Sequence, residues 1–225
     1  MLSIGKQARG QEAYYLATVA EGAEEYYVGH GEVPGRWMGA SARRLALAGQ
    51  VDGDDLRALL DHVDPATGSP LTTGRGAPKV SGFDLTFCAP KSVSLSWAFG
   101  TEQTAREVVA AHEASVDAAL GVMEREAGRI RRGKAGCRVL EADGLVAAGF
   151  RHRTSRAGDP QIHTHVVVAN LGYLGSDGRW SALDARHLYR WAQAVGYLYE
   201  AQLRHELSQQ MGVVNRPGSG DCSIP

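Results

Sequence analysis

Three histidines in the stretch GFRHRTSRAGDPQIHTHVVVAN, from Gly149 to Asn170, have the spacing to share one metal ion. His163 and His165 lie in QIHTHVVVAN, an apolar and β-branched run that predicts a buried strand. Side chains alternate faces along a strand, so residues two apart point the same way, roughly 6–7 Å apart at the backbone. Imidazoles at that separation can lean onto a single ion with bonds of about 2.1 Å. His152 lies in the preceding extended segment, LVAAGFRHRT, and the intervening TSRAGDPQ carries Gly158, Asp159 and Pro160, which is turn chemistry. A hairpin of the two segments delivers His152 beside the other two. Three neutral imidazoles leave positions on a metal open, which suits catalysis better than a closed structural site. The competing reading is that an H-x-H pair is simply two core or surface histidines. A third histidine on the adjoining strand weighs against it.

The other concentration of reactive groups is at the opposite end of the chain. Tyr14 and Tyr15 form one pair and Tyr26 and Tyr27 a second, so half of the eight tyrosines fall within fourteen residues. Aromatics packing one face of an amphipathic helix on the core would account for them without chemistry, and taken alone that reading is preferred. The alternative is a phenol acting as nucleophile. An unperturbed tyrosine has a pKa near 10, so only about 0.1% is phenolate at neutral pH, a penalty of roughly 4 kcal/mol that a nearby cation or base offsets in part. A metal with open positions could instead activate water, giving a hydrolase. On a phosphodiester, a metal neutralises charge developing on the non-bridging oxygens. Tyrosine attack there leaves a phosphotyrosine ester that conserves the bond energy for rejoining, which is strand transfer rather than hydrolysis.

These groups must be carried by a recognisable succession of elements. MLSIGK reads as a short strand, and residues 10–23 are helix-compatible, ending near Gly22; His30, Gly31, Pro34 and Gly35 mark a loop. ASARRLALAG and DGDDLRALLDHV predict two short helices, the second capped by Asp52. DPATGSPLTTGRGAPKVSG is a Gly/Pro/Thr-rich connection bearing Arg75 and Lys79, long enough to be a functional loop. GFDLTFCAP alternates as a strand ended by Pro90, and KSVSLSWAF is ambiguous with helix favoured. TEQTAREVVAAHEASVDAALGVMEREAG is the longest clear helix. RIRRGKAGCR, with five basic residues and no acid, reads as a solvated loop after a helix C-terminus or as a phosphate contact. LGYLGSDGRWSAL predicts a hairpin, HLYRWAQAVGYLYEAQLRHELSQQMG a final long helix, and NRPGSGDCSIP a frayed, turn-rich tail. The fold expected is α+β: a central antiparallel sheet with the histidines on its central strands and helices on its faces.

With 225 residues and 44% hydrophobic content the chain can bury one full core, with room for a small appendage. A net charge of −1 provides no global signature of nucleic-acid binding, so any such site must come from local basic patches. Cys88, Cys137 and Cys222 are odd in number and form no C-x-x-C, which suits cytosolic thiols better than a disulfide framework or zinc knuckle. No signal peptide and no run of membrane-spanning length is visible, so a cytoplasmic location without membrane insertion is the expectation.

Taken together and in order, the tyrosine pairs, GFDLTFCAPKSVSLSW and GFRHRTSRAGDPQIHTHVVVAN closely resemble the TrwC/TraI-type (MobF) conjugative relaxases, within the HUH single-strand DNA endonucleases. RWMGASARRLALAGQVDGDDLRALL and DGRWSALDARHLYRWA are similar to the family's pattern as well, and the likeness runs from MLS to the helix near Gln210. The resemblance implies a relaxase that nicks single-stranded DNA at an origin of transfer. Tyr14 would be the first nucleophile, joined to the 5′ phosphate, and Tyr26 the second, with Tyr15 and Tyr27 their neighbours. His152, His163 and His165 would hold a divalent metal ion, and Asp84 would sit by the nucleophile or behind a ligating histidine. A carboxylate there accepts the phenol proton or fixes an imidazole tautomer; otherwise it is a solvent-facing residue of an alternating strand. Imidazole ligands favour zinc, nickel or copper by affinity, whereas phosphoryl chemistry often runs on magnesium or manganese. Arg75, Lys79, Arg129, Arg131, Arg132, Lys134, Arg151, Arg153 and Arg156 are candidate phosphate contacts.

Relaxosome accessory proteins and the conjugation coupling machinery would be the implied protein partners. The tyrosine pairs are separated by LATVAEGAEE, a longer segment than in the best-known members, and Cys88 stands where the family motif has a serine. Members usually continue into a helicase or another large part, so the expectation is one relaxase domain over 1–225, truncated at its C-terminus, with no helicase part. Two other readings stay open on the residues alone. One is a replication initiator or transposase of the same chemistry, although the tyrosine-first order resembles relaxases. The other is a non-catalytic DNA-binding module with a structural metal site, which would bind DNA regardless of chelation and form no covalent adduct.

Overall fold

Alternating side chains on two adjacent extended segments set the architecture. The structure, a computed structural model, describes residues 1–8, 10, 34–73, 79–133, 136–155 and 157–211. In chain order the described elements are β1 (Leu2–Gln7), β2 (Arg36–Met38), a 3₁₀ turn (Ala42–Leu45), α1 (Gly53–Leu60), β3 (Gly82–Cys88), α2 (Lys91–Phe99), α3 (Glu102–Ala127), β4 (Arg129–Arg132), β5 (Arg138–Glu141), β6 (Leu145–Thr154), β7 (Pro160–Leu174), β8 (Arg179–Ser181) and α4 (Ala185–Met211). The main sheet runs β1-β3-β7-β6-β2, with β8 added to the far end of β7, and every pairing is antiparallel. This is the α+β arrangement expected, with β7 and β6 inside the sheet. The tyrosine-bearing stretch and the tail lie outside the described residues.

The sheet buries both faces because its central strands are apolar on both. One face carries Phe83, Leu85, Phe87, Leu145, Ala147, Ile162, Val166 and Val168, which pack under Val108, Ala111, Val116, Leu120 and Met123 of α3 and Leu188, Val195 and Tyr199 of α4. The other carries Val146, Ala148, Phe150, Val167, Ala169 and Leu171, covered by Trp37, Leu45, Leu47 and the α1 residues Leu56, Leu59 and Leu60. Asp52 caps α1 as its position suggested, accepting from the backbone N–H of Asp54 and Asp55. Thr101 does the same for α3 through Thr104. KSVSLSWAF resolves as helix, because Pro90 at its N-terminus fixes an extended entry and supplies the first carbonyl acceptors.

Three local expectations need correction. ASARRLALAG is a single 3₁₀ turn rather than an α-helix, ended at Ala46, whose φ of 57° is left-handed. RIRRGKAGCR is not a solvated loop: Arg129–Arg132 pairs with Arg138–Glu141 as a separate two-stranded ribbon. Its arginines meet acids distant in sequence, Arg129 with Glu141, Arg132 with Asp177 and Arg131 with Asp184. The last helix, with 27 residues, is one longer than α3.

Two carboxylates tie the pieces together. Glu124 Oε1 of α3 accepts from the backbone N–H of Ala40 and of Leu145, tying the turn after β2 to the start of β6. Gly39 there has φ 88°, and a Cβ on it would overlap the Leu145 carbonyl oxygen. Asp184, 1% exposed, accepts two hydrogen bonds from Arg186 at 2.6 and 2.9 Å and one from Arg131 at 3.4 Å. The Arg186 bonds, then those of Arg131, hold its carboxyl well below the usual carboxylate range. A folded-state pKa below the unfolded value of about 3.9 makes this contribution fully present above that pH and lost progressively as pH falls from there through the folded value. Asp184→Asn is therefore expected to cost on the order of 1–3 kcal/mol at pH 7, because the buried carboxylate's charge-assisted hydrogen bonds with Arg186 and Arg131 are lost. Urea unfolding should show that gap at pH 7 and its narrowing at pH 3.

Candidate metal centre

β6 and β7 pair with His152 directly opposite His163 and Phe150 opposite His165. Directly opposed residues share a face, so the three imidazoles emerge together, at the end of the face that α1 covers farther along. Their ring centroids are 5.2, 5.0 and 5.1 Å apart, close to an equilateral triangle. One ligand nitrogen from each falls within 4.8 Å of the other two. That is a little wider than the span a metal with bonds of about 2.1 Å would set, so small rotations of the rings close it.

Hydrogen bonds fix the direction in which the lone pairs point. His165 Nδ1 donates to Asp84 Oδ2 at 2.8 Å, and Thr86 Oγ1 accepts a longer branch at 3.2 Å. Asp84 and Thr86 lie on β3, whose register places Thr86 opposite His165 and Asp84 opposite Val167. His163 Nδ1 donates to the Gln161 carbonyl at 3.1 Å. Both rings therefore carry the proton on Nδ1 and the lone pair on Nε2. His152 is 4% exposed; burial first, then the neighbouring His165 and His163, push its pKa down to about 3. Burial likewise lowers His163. Two of the three rings are thus held neutral at pH 7, as ligands must be, with a carboxylate behind the third to fix its orientation. A three-imidazole donor set with one outer carboxylate fits a divalent cation. Among the described residues this is the one group of three or more potential ligand side chains that converges in this way.

The structure brings together His152, His163, His165 and Asp84, and the described basic candidates Arg129, Arg131, Arg132 and Arg151 lie elsewhere. Arg153 lies in the register shift that follows His152, whereas Arg151 precedes His152 in β6, opposite Thr164, and so points to the opposite face. Arg151 is 15% exposed there, 3.5 Å from Glu113 of α3. Arg129, Arg131 and Arg132 carry the acid partners named above, and Lys79 is exposed beside β3. Tyr14, Tyr15, Tyr26, Tyr27, Arg75, Lys134 and Arg156 lie outside the described residues. Thr86 was missed, although its place two residues after Asp84 in an alternating strand puts it on the same face.

The TrwC relaxase family model matches residues 8–223. The multifunctional conjugation protein TraI of Escherichia coli is 33% identical over 230 residues, covering 96% of this chain and 12% of TraI. Among solved structures, conjugative relaxase TrwC in its metal-bound complex with oriT DNA superposes with a TM-score of 0.81 at 33% identity, over 97% of this chain and 73% of that one. Its copper-bound oriT complex gives 0.81 at 34% identity over the same shares. The chain spans about an eighth of the curated relative it matches. The order of strands, the histidine site and a match along almost the whole chain lead to one assignment: this chain belongs to the TrwC relaxase family.

Proposed function

We propose that this chain is the DNA-nicking part of a conjugative relaxase, a site- and strand-specific endonuclease and strand transferase acting on single-stranded DNA at an origin of transfer. The observation that carries the reading is the histidine triangle with Asp84 bonded to one of its rings, in a chain of this family. TrwC is a conjugative relaxase and is seen with oriT DNA and a metal; TraI is a multifunctional conjugation protein.

His152, His163 and His165 hold a divalent ion in this reading, magnesium, manganese or a transition metal such as zinc or nickel. When bound, it supplies charge neutralisation at the non-bridging oxygens of the scissile phosphate. Tyr14 is the attacking group: a phenol-oxygen-to-phosphorus bond forms, the bond from phosphorus to the 3′ oxygen breaks, and that oxygen leaves as a 3′ hydroxyl after taking up a proton. The strand stays attached through a 5′-phosphotyrosyl ester, and attack by a 3′ hydroxyl reverses the step. Tyr26 serves the later transfer, with Tyr15 and Tyr27 adjoining. Asp84 keeps His165 in the tautomer whose lone pair faces the ion. Lys79 and Arg75 contact phosphates, and the chain acts as one relaxase domain in the cytoplasm with relaxosome proteins and the coupling machinery as partners. No helix among the described residues is long and apolar enough to cross a membrane.

Incubation with a labelled suicide oligonucleotide carrying the cognate origin, plus a divalent ion, is expected to yield a denaturation-resistant adduct. Tyr14→Phe should abolish it; an adduct that persists moves the role to another tyrosine, and no adduct with the unaltered chain overturns the reading. Asp84→Asn should weaken metal affinity roughly 10–100-fold in a calorimetric titration, since the outer partner of a ligating histidine is lost. Unchanged affinity would remove Asp84 from that role.

A further inference from the structure

The residue between the two ligands of β7 is not idle. Thr164 points to the helix-covered face and is 6% exposed, opposite Phe87 of β3 and Arg151 of β6. Its Oγ1 lies 2.8 Å from Nε2 of His112, which sits in the middle of α3 at 0% exposure. The other ring nitrogen of His112, Nδ1, lies 2.8 Å from the hydroxyl of Tyr199, also 0% exposed, on α4. The Tyr199 ring meets His112 edge-on at 5.7 Å and Phe87 at 5.4 Å. One buried line of hydrogen bonds thus runs from both long helices to the residue flanked by His163 and His165.

An imidazole with no exposure in an apolar core is costly unless both nitrogens are partnered, and here both are. Burial, with smaller effects from Arg151 and His163, pushes it down to about 3, so it remains neutral and joins one donor to one acceptor. Phe87, Ile162 and Val166 already fill this face, so apolar packing alone would cover Thr164. What the hydroxyl–imidazole bond adds is direction. It fixes the Thr164 rotamer and the pitch of the strand at that residue, and the flanking side chains leave the opposite face at angles set by that pitch.

We propose that His112, through Thr164, is a positioning residue for the metal ligands: the bond on the hidden face of β7 sets how His163 and His165 converge on the exposed one. This rests on the metal-site reading above. The ligand partners of a site are aligned by rigid outer contacts, and losing one typically weakens metal binding about tenfold or more.

The test compares three variants of this chain in calorimetric titration with nickel(II), alongside thermal melts without metal. Thr164→Val removes the hydroxyl while keeping the β-branched shape and is expected to weaken nickel affinity about tenfold. Thr164→Ser restores the hydroxyl and should stay within twofold of the parent. Tyr199→Phe cuts only the far bond and should lower the melting temperature while leaving affinity within twofold. If Thr164→Val melts lower but binds nickel as the parent does, the bond is merely structural and the proposal is overturned. Equal affinity losses in Thr164→Val and Thr164→Ser would overturn it as well. Absence of nickel binding by the parent chain defeats the metal-site reading itself, an outcome distinct from either.

Discussion

The register between β6 and β7 is the constraint on which the site depends. With His152 opposite His163, three side chains from two strands share one face and one end of the sheet. A slip of one residue would turn His163 and His165 into the helix-packed core and bring Ile162 and Val166 out to the site. The apolar residues farther along both strands resist that slip, because the alternation that orients the histidines also sorts Val166 and Val168 from Val167 and Ala169. Placement of the ligands is therefore a by-product of burying two cores on opposite sides of one sheet.

The same layout explains how charge is distributed. Burial, and after it the crowding of the imidazoles, disfavours protonation of His152 and His163, so those two rings are neutral donors rather than positive charges. The carboxylate close to them, Asp84, bonds to a ring nitrogen that points away from the ligand positions. Among the described residues, Arg151 stands apart from this cluster, beneath the sheet against Glu113, and the ribbon arginines stand against Glu141, Asp177 and Asp184. A cation entering the triangle thus meets lone pairs with little repulsion to overcome.

Much of this was legible in the chain. The H-x-H in a β-branched run, the Gly-Asp-Pro turn and the extended segment before it were enough to place three histidines on one face, since a period of two leaves little freedom. Asp52 as a cap followed from local spacing as well, whereas Asp84 near the metal came from the family resemblance. Arg151 shows what alternation adds to a reading by charge: the residue before His152, opposite Thr164, must face away from the histidines. The acid partners of Arg129, Arg131 and Arg132 could not be read because they lie up to 53 positions away. His112 left no signal at all, being a helical residue whose partners are 52 and 87 positions distant.

X-ray absorption at the nickel edge, on the chain loaded with one equivalent of metal, goes most directly to the convergence of the three rings. Three imidazole scatterers at about 2.1 Å are expected, completed by oxygen donors, with one ion per chain. Two or fewer imidazoles in the shell, or an unchanged shell after His152→Ala, would contradict a tri-histidine centre.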